Sequence, residues 1–182
     1  MSRNYKFHDQ EKPYFVTLTT VLWIDVFTRR IYKDLFVENI LYCIENKGLI
    51  VYCWCLMSNH AHLIIGTGDL TMQGILRDFK KYTSKALIKK IKQNAAESRK
   101  SWMEWLFPRA GQKNPNNREY QFWQQHNQPK VVDYHEIIEQ KMDYIHRNPV
   151  KAGWVQRPED FLYSSARTYA GQEGMLPVEV IR

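Results

Sequence analysis

The stretch that decides the fold is LIVYCWCLM at residues 49–57, followed by SN at 58–59 and HAHLII at 60–65. Both outer segments are apolar and carry β-branched or aromatic residues, which is typical of buried strands. Serine and asparagine between them are common turn residues. Because the connection is so short, it favours antiparallel pairing of the two strands. The sequence therefore predicts a β-hairpin with a His-Ala-His motif at the start of its second strand.

Further strands and helices are predicted on both sides of this hairpin. They are a strand at 14–20, helices at 33–47, 71–92 and 134–147, and a fourth strand at 120–125. The last helix should end near Asn148, because the residue before a proline avoids helical geometry and Pro149 follows. Residues 94–121 look polar and irregular. Strands and helices in this order predict the α+β class.

Composition narrows the class of protein further. The chain has 182 residues, a formal net charge of +7 and 14% aromatic residues, enough apolar matter for a core. A basic, aromatic-rich chain favours nucleic acid as a partner, since cations neutralise phosphates and rings stack on bases. The longest apolar run, residues 49–57, is too short to span a membrane. Residues 1–8 are polar and do not resemble a signal peptide, so a cytoplasmic protein with no membrane partner is expected.

Three cysteines occur, at positions 43, 53 and 55. They are too few for a disulfide framework. Cys53 and Cys55 lie within an apolar strand pattern with one residue between them, whereas structural zinc sites usually have two to four residues between paired cysteines. We expect both thiols to be buried as small hydrophobic side chains.

His60 and His62 are the sharpest candidates for chemistry. Residues two apart on a strand point to the same face, so both imidazoles could reach one divalent cation. The spacing carries no signature specific to a metal, however. Two histidines with ordinary partners in a half-buried strand remain the alternative.

Tyr144 and Asn148 form a second pair, four residues apart on a predicted helix and therefore on one face. A tyrosine phenol can act as a nucleophile, and an asparagine amide oxygen can be a neutral ligand for a hard cation. Two histidines and one asparagine would leave such a cation its full charge for polarising a phosphate. The alternative is a core tyrosine and a helix-ending asparagine.

A basic stripe and a tryptophan are candidates for DNA contacts. Arg77, Lys81 and Lys85 lie on one side of the predicted helix 71–92 and could contact phosphates, although such a stripe can also be an ordinary solvated face. Trp123 could stack on a base or could pack in the core.

Two motifs, LMSNHAHL at 56–63 and DYIHRNPVKAGW at 143–154, resemble in combination the single-strand tyrosine transposases of the HUH class. The closest resemblance is to the REP-associated tyrosine transposases of bacteria. The likeness runs from FVTLT at 15–19 through FWQ at 122–124 to LYSSA at 162–166.

This resemblance implies a ferredoxin-like antiparallel sheet with helices packed on it. It implies a single domain over 1–182, with an insertion at 94–118 and a C-terminal tail at 153–182. Ala61, where relatives have a bulky residue, should leave the packing behind the histidines looser. The chain also lacks the N-terminal Gly-Thr-Trp element of some REP-associated members.

The resemblance also implies a role for each candidate. His60 and His62 would bind Mg²⁺ or Mn²⁺, with Asn148 as the third ligand. Tyr144 would attack a phosphate of single-stranded DNA beside a hairpin and form a 5′-phosphotyrosine. Related enzymes pair the tyrosine with histidines of the same chain or of a partner, so a homodimer stays open.

Two other functions remain open at this point. The chain could be a non-catalytic DNA-binding protein derived from such a transposase, for example a repressor or a domesticated hairpin binder. It could also be a metal-dependent phosphodiesterase that activates water and forms no covalent link.

Overall fold

The structure, a computed structural model, describes residues 7–68, 70–114 and 119–181. The strands are β1 (Tyr14–Thr19), β2 (Leu49–Leu56), β3 (His60–Thr67) and β4 (Lys130–Val131). The helices are α1 (Arg30–Lys47), α2 (Met72–Gln93), α3 (Lys100–Gln112), α4 (His135–Lys151) and α5 (Ala166–Tyr169). Short 3-10 turns lie at Val21–Trp23, Val26–Thr28 and Pro158–Asp160.

The four strands form one sheet in the order β2-β3-β1-β4, and every neighbouring pair is antiparallel. Strand β3 returns between β1 and β2, which splits the β1-α1-β2 unit in the ferredoxin-like way. The predicted α+β class and the ferredoxin-like antiparallel sheet with helices packed on it are both confirmed.

The register of the central strands decides which side chains meet. Thr17 of β1 and Cys55 of β2 both lie opposite His62 of β3, and Thr19 lies opposite His60. Paired residues in an antiparallel sheet point to the same face. A slip of one residue would turn both histidines to the opposite face, so the buried apolar residues of β1 and β3 fix the histidine position as well.

An aromatic cluster joins α1 and α2 to the segment before β4. Phe36 of α1 meets Phe79 of α2 edge to face, with ring centroids 5.3 Å apart, and Phe27 stacks on Trp123 at 5.8 Å. Trp123 is only 5% exposed, and its indole N–H donates to Thr83 Oγ1 at 3.0 Å. The structure therefore places Trp123 in the core, where it presents no ring face to a base.

The strand predicted at 120–125 is wrong. Trp123 makes only an isolated bridge to Thr20, and the fourth strand of the sheet is β4. Phe122 and Trp123 are both buried. Just before them, the Gln121 N–H donates to Phe107 O of α3 at 3.0 Å, so the backbone at this residue bonds to a helix rather than to a neighbouring strand.

Helix α3 lies inside the segment that was expected to be irregular, 94–121. Buried Met103 and Phe107 hold the helix against the core, although Pro108 lies inside it. A Cβ at Gly111 would come within 2.6 Å of the Tyr120 backbone, so only glycine permits this approach. That 94–118 is an insertion stays a prediction, and residues 115–118 lie outside the described part of the chain.

Helix α4 also continues further than expected, through Pro149 to Lys151. The turn beyond the proline closes because the Ala152 N–H donates to Asn148 O and the Trp154 N–H donates to Pro149 O, both at 2.9 Å. Pro149 is buried. The stabilisation from packing this turn exceeds the cost of the backbone hydrogen bond that Pro149 cannot donate.

Cys43, Cys53 and Cys55 are free and buried, which confirms the expectation for the last two. None of the helices within residues 7–68, 70–114 and 119–181 is both long and apolar enough to cross a membrane.

Candidate active site

His60 and His62 lie together on β3, as their spacing predicts. Their ring centroids are 4.7 Å apart, and the rings meet edge to face. His62 is buried and His60 is half-buried. The residue between them, Ala61, is buried on the opposite face of the strand.

His60 is oriented by the residue before it. Its Nδ1 lies 2.7 Å from Asn59 Oδ1. The Asn59 amide nitrogen donates to Asp25 Oδ1 at 3.0 Å and to Trp23 O at 3.3 Å, which leaves Oδ1 as the group that faces the imidazole. Because Asn59 Oδ1 is an acceptor, the imidazole proton of neutral His60 must be on Nδ1. Nε2 then keeps a free lone pair.

His62 is held from two sides by β1. Its Nδ1 lies 3.0 Å from Thr17 Oγ1, and its ring stacks on Phe15 with centroids 5.5 Å apart. Burial lowers the pKa of His62 to about 3, and the Lys141 ammonium and the positive charge that His60 would carry if protonated act in the same direction. Burial also lowers the pKa of His60, against the opposing effect of Asp25. Both imidazoles are therefore neutral at pH 7 and can donate lone pairs to a cation.

Helix α4 brings Tyr144 directly to these histidines. The Tyr144 hydroxyl lies 3.3 Å from His62 Nε2, and the two ring centroids are 5.1 Å apart. Phe15 supports the tyrosine ring edge-on at 6.2 Å. Tyr144 nevertheless keeps 39% of its surface in solvent. This exposure does not fit the alternative of a core tyrosine. The Tyr144 hydroxyl and the His62 ring approach each other within a single chain.

Two lysines flank the tyrosine on the same helix. Lys141 Nζ lies 5.9 Å from the centroid of the Tyr144 ring, and Lys151 Nζ lies 5.6 Å from it. Lys141 also lies over Phe15 at 5.4 Å. The two ammonium groups give this end of the site a positive potential, which suits an anionic substrate.

Asn148 lies one turn beyond Tyr144 and is half-buried. Its amide nitrogen donates to Tyr144 O at 2.6 Å, so the amide oxygen is the atom left to accept or to ligate. In the described part of the chain, no group of three or more histidine, cysteine or acidic side chains could hold a metal ion. A cation beside His60 and His62 would thus need a different third ligand, and an amide oxygen is chemically suitable.

His146 contributes to the site in a way that the sequence analysis missed. Its Nε2 lies 3.2 Å from Cys53 Sγ of β2 and 2.8 Å from Ser165 Oγ of the C-terminal segment. Burial lowers the pKa of His146 to about 4, so it is neutral at pH 7. It anchors α4 to the sheet between the two candidate positions Tyr144 and Asn148. The sequence held one signal for this anchoring role. His146 lies two residues after Tyr144, so on a helix it points away from the face that Tyr144 shares with Asn148.

The residues predicted to contact DNA fall into two groups. Arg77, Lys81 and Lys85 are exposed on α2, and Arg77 pairs with the adjacent Asp78 at 3.1 Å. Their exposure permits contact with phosphates and equally permits an ordinary solvated face. Trp123, buried as described above, does not fit the role of a stacking surface.

The sequence model of the family described as "Transposase IS200 like" matches residues 14–110, which is more than half of the chain. The chain belongs to the IS200-like transposase family. The matched region contains β1, β3 and both candidate histidines, while Tyr144 and Asn148 lie beyond it.

Among solved structures, one similar fold is that of a REP-associated tyrosine transposase bound to a REP hairpin. It shares 19% identity at a TM-score of 0.65, over 100% of this chain and 94% of that chain. A candidate transposase from Deinococcus radiodurans R1 aligns at 16% identity and a TM-score of 0.42, over 81% of this chain and 95% of its own. No curated protein sequence matches this chain.

Proposed function

We propose that this protein cleaves and rejoins single-stranded DNA beside hairpins, with Tyr144 as the nucleophile. The observation that carries the proposal is the position of Tyr144, a partly exposed residue whose hydroxyl lies 3.3 Å from Nε2 of a neutral, buried His62. A phenol beside paired histidines, in a chain of a transposase family, matches covalent chemistry at a phosphodiester better than it matches binding alone.

The proposed reaction is a transesterification. The Tyr144 oxygen forms a bond to phosphorus as the bond from phosphorus to the 3′ oxygen of the strand breaks. The tyrosine loses its proton, and the departing 3′ oxygen takes one up, so the step needs no external energy source. In rejoining, a 3′ hydroxyl attacks the 5′-phosphotyrosine and releases the tyrosine again.

The chemistry of the available donor atoms, two imidazole nitrogens and an amide oxygen, suits a divalent cation. His60, His62 and Asn148 would hold Mg²⁺ or Mn²⁺, and a bound ion supplies Lewis-acid polarisation of the phosphate. Asn59 and Thr17 orient the two imidazoles through their Nδ1 atoms, as second-layer partners of metal-bound histidines commonly do. Lys141 and Lys151 would attract the phosphate towards the tyrosine.

Hairpin DNA is the proposed partner because the protein of similar fold is bound to a REP hairpin. The formal net charge of +7 supports attraction to a phosphate backbone. Arg77, Lys81 and Lys85 are the proposed backbone contacts, since all three are exposed on one helix. Binding should therefore weaken steeply with added salt.

The test is a denaturing gel with Mn²⁺ and labelled hairpin DNA from the flanks of the gene. Wild-type protein should carry a labelled band at the position of the protein, and Tyr144→Phe and His62→Ala should lack it. Tyr134→Phe is the matched control, because Tyr134 is an exposed tyrosine adjoining the start of the same helix. It should retain the band.

Two outcomes would contradict the proposal in different ways. If the hairpin binds tightly but wild-type protein gives no covalent band, the protein is a DNA-binding module. If the Tyr144→Phe protein still cuts the strand at a similar rate, a hydrolytic phosphodiesterase is the better description.

A further inference from the structure

The turn that follows β1 displays two large apolar side chains in solvent. Leu22 is 60% exposed and Trp23 is 57% exposed. Both have left-handed backbone conformations, with φ of 55° and 56°. Residues with a Cβ avoid this region, and a leucine followed by a tryptophan is an unusual occupant of it. The core gains little from either side chain.

The turn is held firmly rather than loosely. Thr20 is fully buried, and its Oγ1 lies 2.8 Å from Ile24 O and 2.9 Å from Asn59 O. The Trp23 N–H donates to Thr20 O at 3.2 Å, and Asn59 donates to Trp23 O at 3.3 Å. Strained conformations that the surroundings hold in this way are concentrated at functional sites.

The displayed indole adjoins the candidate active site. The ring centroids of Trp23 and His60 are 5.8 Å apart, and the planes are inclined by 74°. The Asn59 side chain bonds both the Trp23 carbonyl and the His60 ring, so one amide fixes the indole-bearing turn relative to the histidine. Any strand whose phosphate lies at the histidines would pass within reach of this ring.

We propose that Trp23, with Leu22 beside it, is a stacking platform for an unpaired base of the DNA single strand next to the cleaved phosphate. This inference rests on the proposed function. An exposed indole offers a π-face that any base can stack on, and such platforms beside a basic surface are typical of single-strand binding. The formal net charge of +7 favours a polyanionic ligand at this surface.

The experiment measures binding of a fluorescent hairpin with a short single-stranded flank, drawn from the DNA beside the gene. All proteins carry Tyr144→Phe, so that no covalent capture distorts the dissociation constant. Trp23→Ala should raise the Kd at least about fivefold, and Trp23→Phe should raise it less, because phenylalanine still stacks. The control is Trp102→Ala, an exposed tryptophan on α3, which should leave the Kd within about twofold.

Abasic substitution along the flank then separates stacking from a structural effect. Removing one particular base should weaken binding to the protein with Trp23, and should have no further effect in Trp23→Ala. Equal sensitivity of both proteins at every position, or an effect of Trp23→Ala no larger than that of Trp102→Ala, would overturn the platform.

The same DNA with Tyr144 restored tests the proposed function separately. Covalent adducts without coupling between Trp23 and a base would remove the platform and leave the transposase chemistry standing. Coupling between Trp23 and a base without any covalent adduct would leave the platform standing and remove the transposase chemistry.

Discussion

Replacing Glu97 with glutamine should destabilise the protein markedly, because this carboxylate is buried between two arginines. Its side chain has no solvent exposure, and it accepts from Arg29 Nε at 2.7 Å and Arg99 Nε at 3.0 Å. Arg99 also donates to the Asp25 carbonyl and to Thr28 Oγ1. The cluster therefore ties the connection between α2 and α3 to the segment that precedes α1.

The magnitude follows from the ionisation of Glu97. Burial alone would raise its pKa, but the hydrogen bonds from Arg99 and Arg29 outweigh burial and lower the pKa from 4.5 to about 2. Each pKa unit corresponds to about 1.4 kcal/mol, so the ionised form is favoured in the folded protein by about 3 kcal/mol. Glutamine resembles the protonated form, so Glu97→Gln should lose a similar amount, or about 6–12 °C in Tm for a chain of this size.

The contribution of Glu97 to the free energy of unfolding should also depend on pH. A carboxylate with a depressed folded pKa stabilises the protein above its unfolded value of 4.5 and loses this effect as pH falls towards 2. Urea unfolding followed by circular dichroism should show the full difference between wild type and Glu97→Gln at pH 7, and a shrinking difference below pH 4.5. Glu104→Gln, exposed on α3, is the control. A loss below about 1 kcal/mol at pH 7, or a difference that does not depend on pH, would refute the reasoning.

Three further predictions concern the turn, the core and the cation. Leu22→Gly should stabilise the protein by about 1 kcal/mol in urea unfolding, because glycine relieves the left-handed strain, and a loss of stability would contradict this. Thr83→Val should cost about 1–3 kcal/mol by leaving the Trp123 indole N–H without its acceptor, whereas Thr83→Ser should cost less; equal effects would count against that hydrogen bond. Chelation by EDTA should abolish the covalent adduct and leave hairpin binding in gel shifts, and an adduct that survives EDTA would exclude a metal requirement.

Much of the fold could be read from local patterns. The hairpin formed by β2 and β3 and the helices α1 and α2 follow from strand composition, turn residues and helical spacing, which depend on neighbours along the chain. Local patterns were insufficient where tertiary contacts decided the geometry. The Gln121 N–H bonds Phe107 O of α3 where a strand was expected, and packing carried α4 past Pro149.

The candidate site divides along the same line. The period of a strand determined from sequence alone that His60 and His62 share a face, and the period of a helix did the same for Tyr144 and Asn148. Within each pair the relation depends only on backbone geometry. The resemblance of the two motifs to a known family then predicted that both pairs belong to one site. The spacing within each pair could not predict this.

Only the tertiary structure decided how the pairs meet and what surrounds them. The 3.3 Å approach of Tyr144 to His62 depends on the packing of α4 against the sheet, between residues 82 positions apart. The burial of Trp123 and the exposure of Trp23 could not be predicted from sequence either, because neither tryptophan belongs to a periodic apolar pattern that would indicate its exposure. A side chain's exposure is set by whichever distant elements cover it, and that information lies in the packed fold rather than in neighbouring residues.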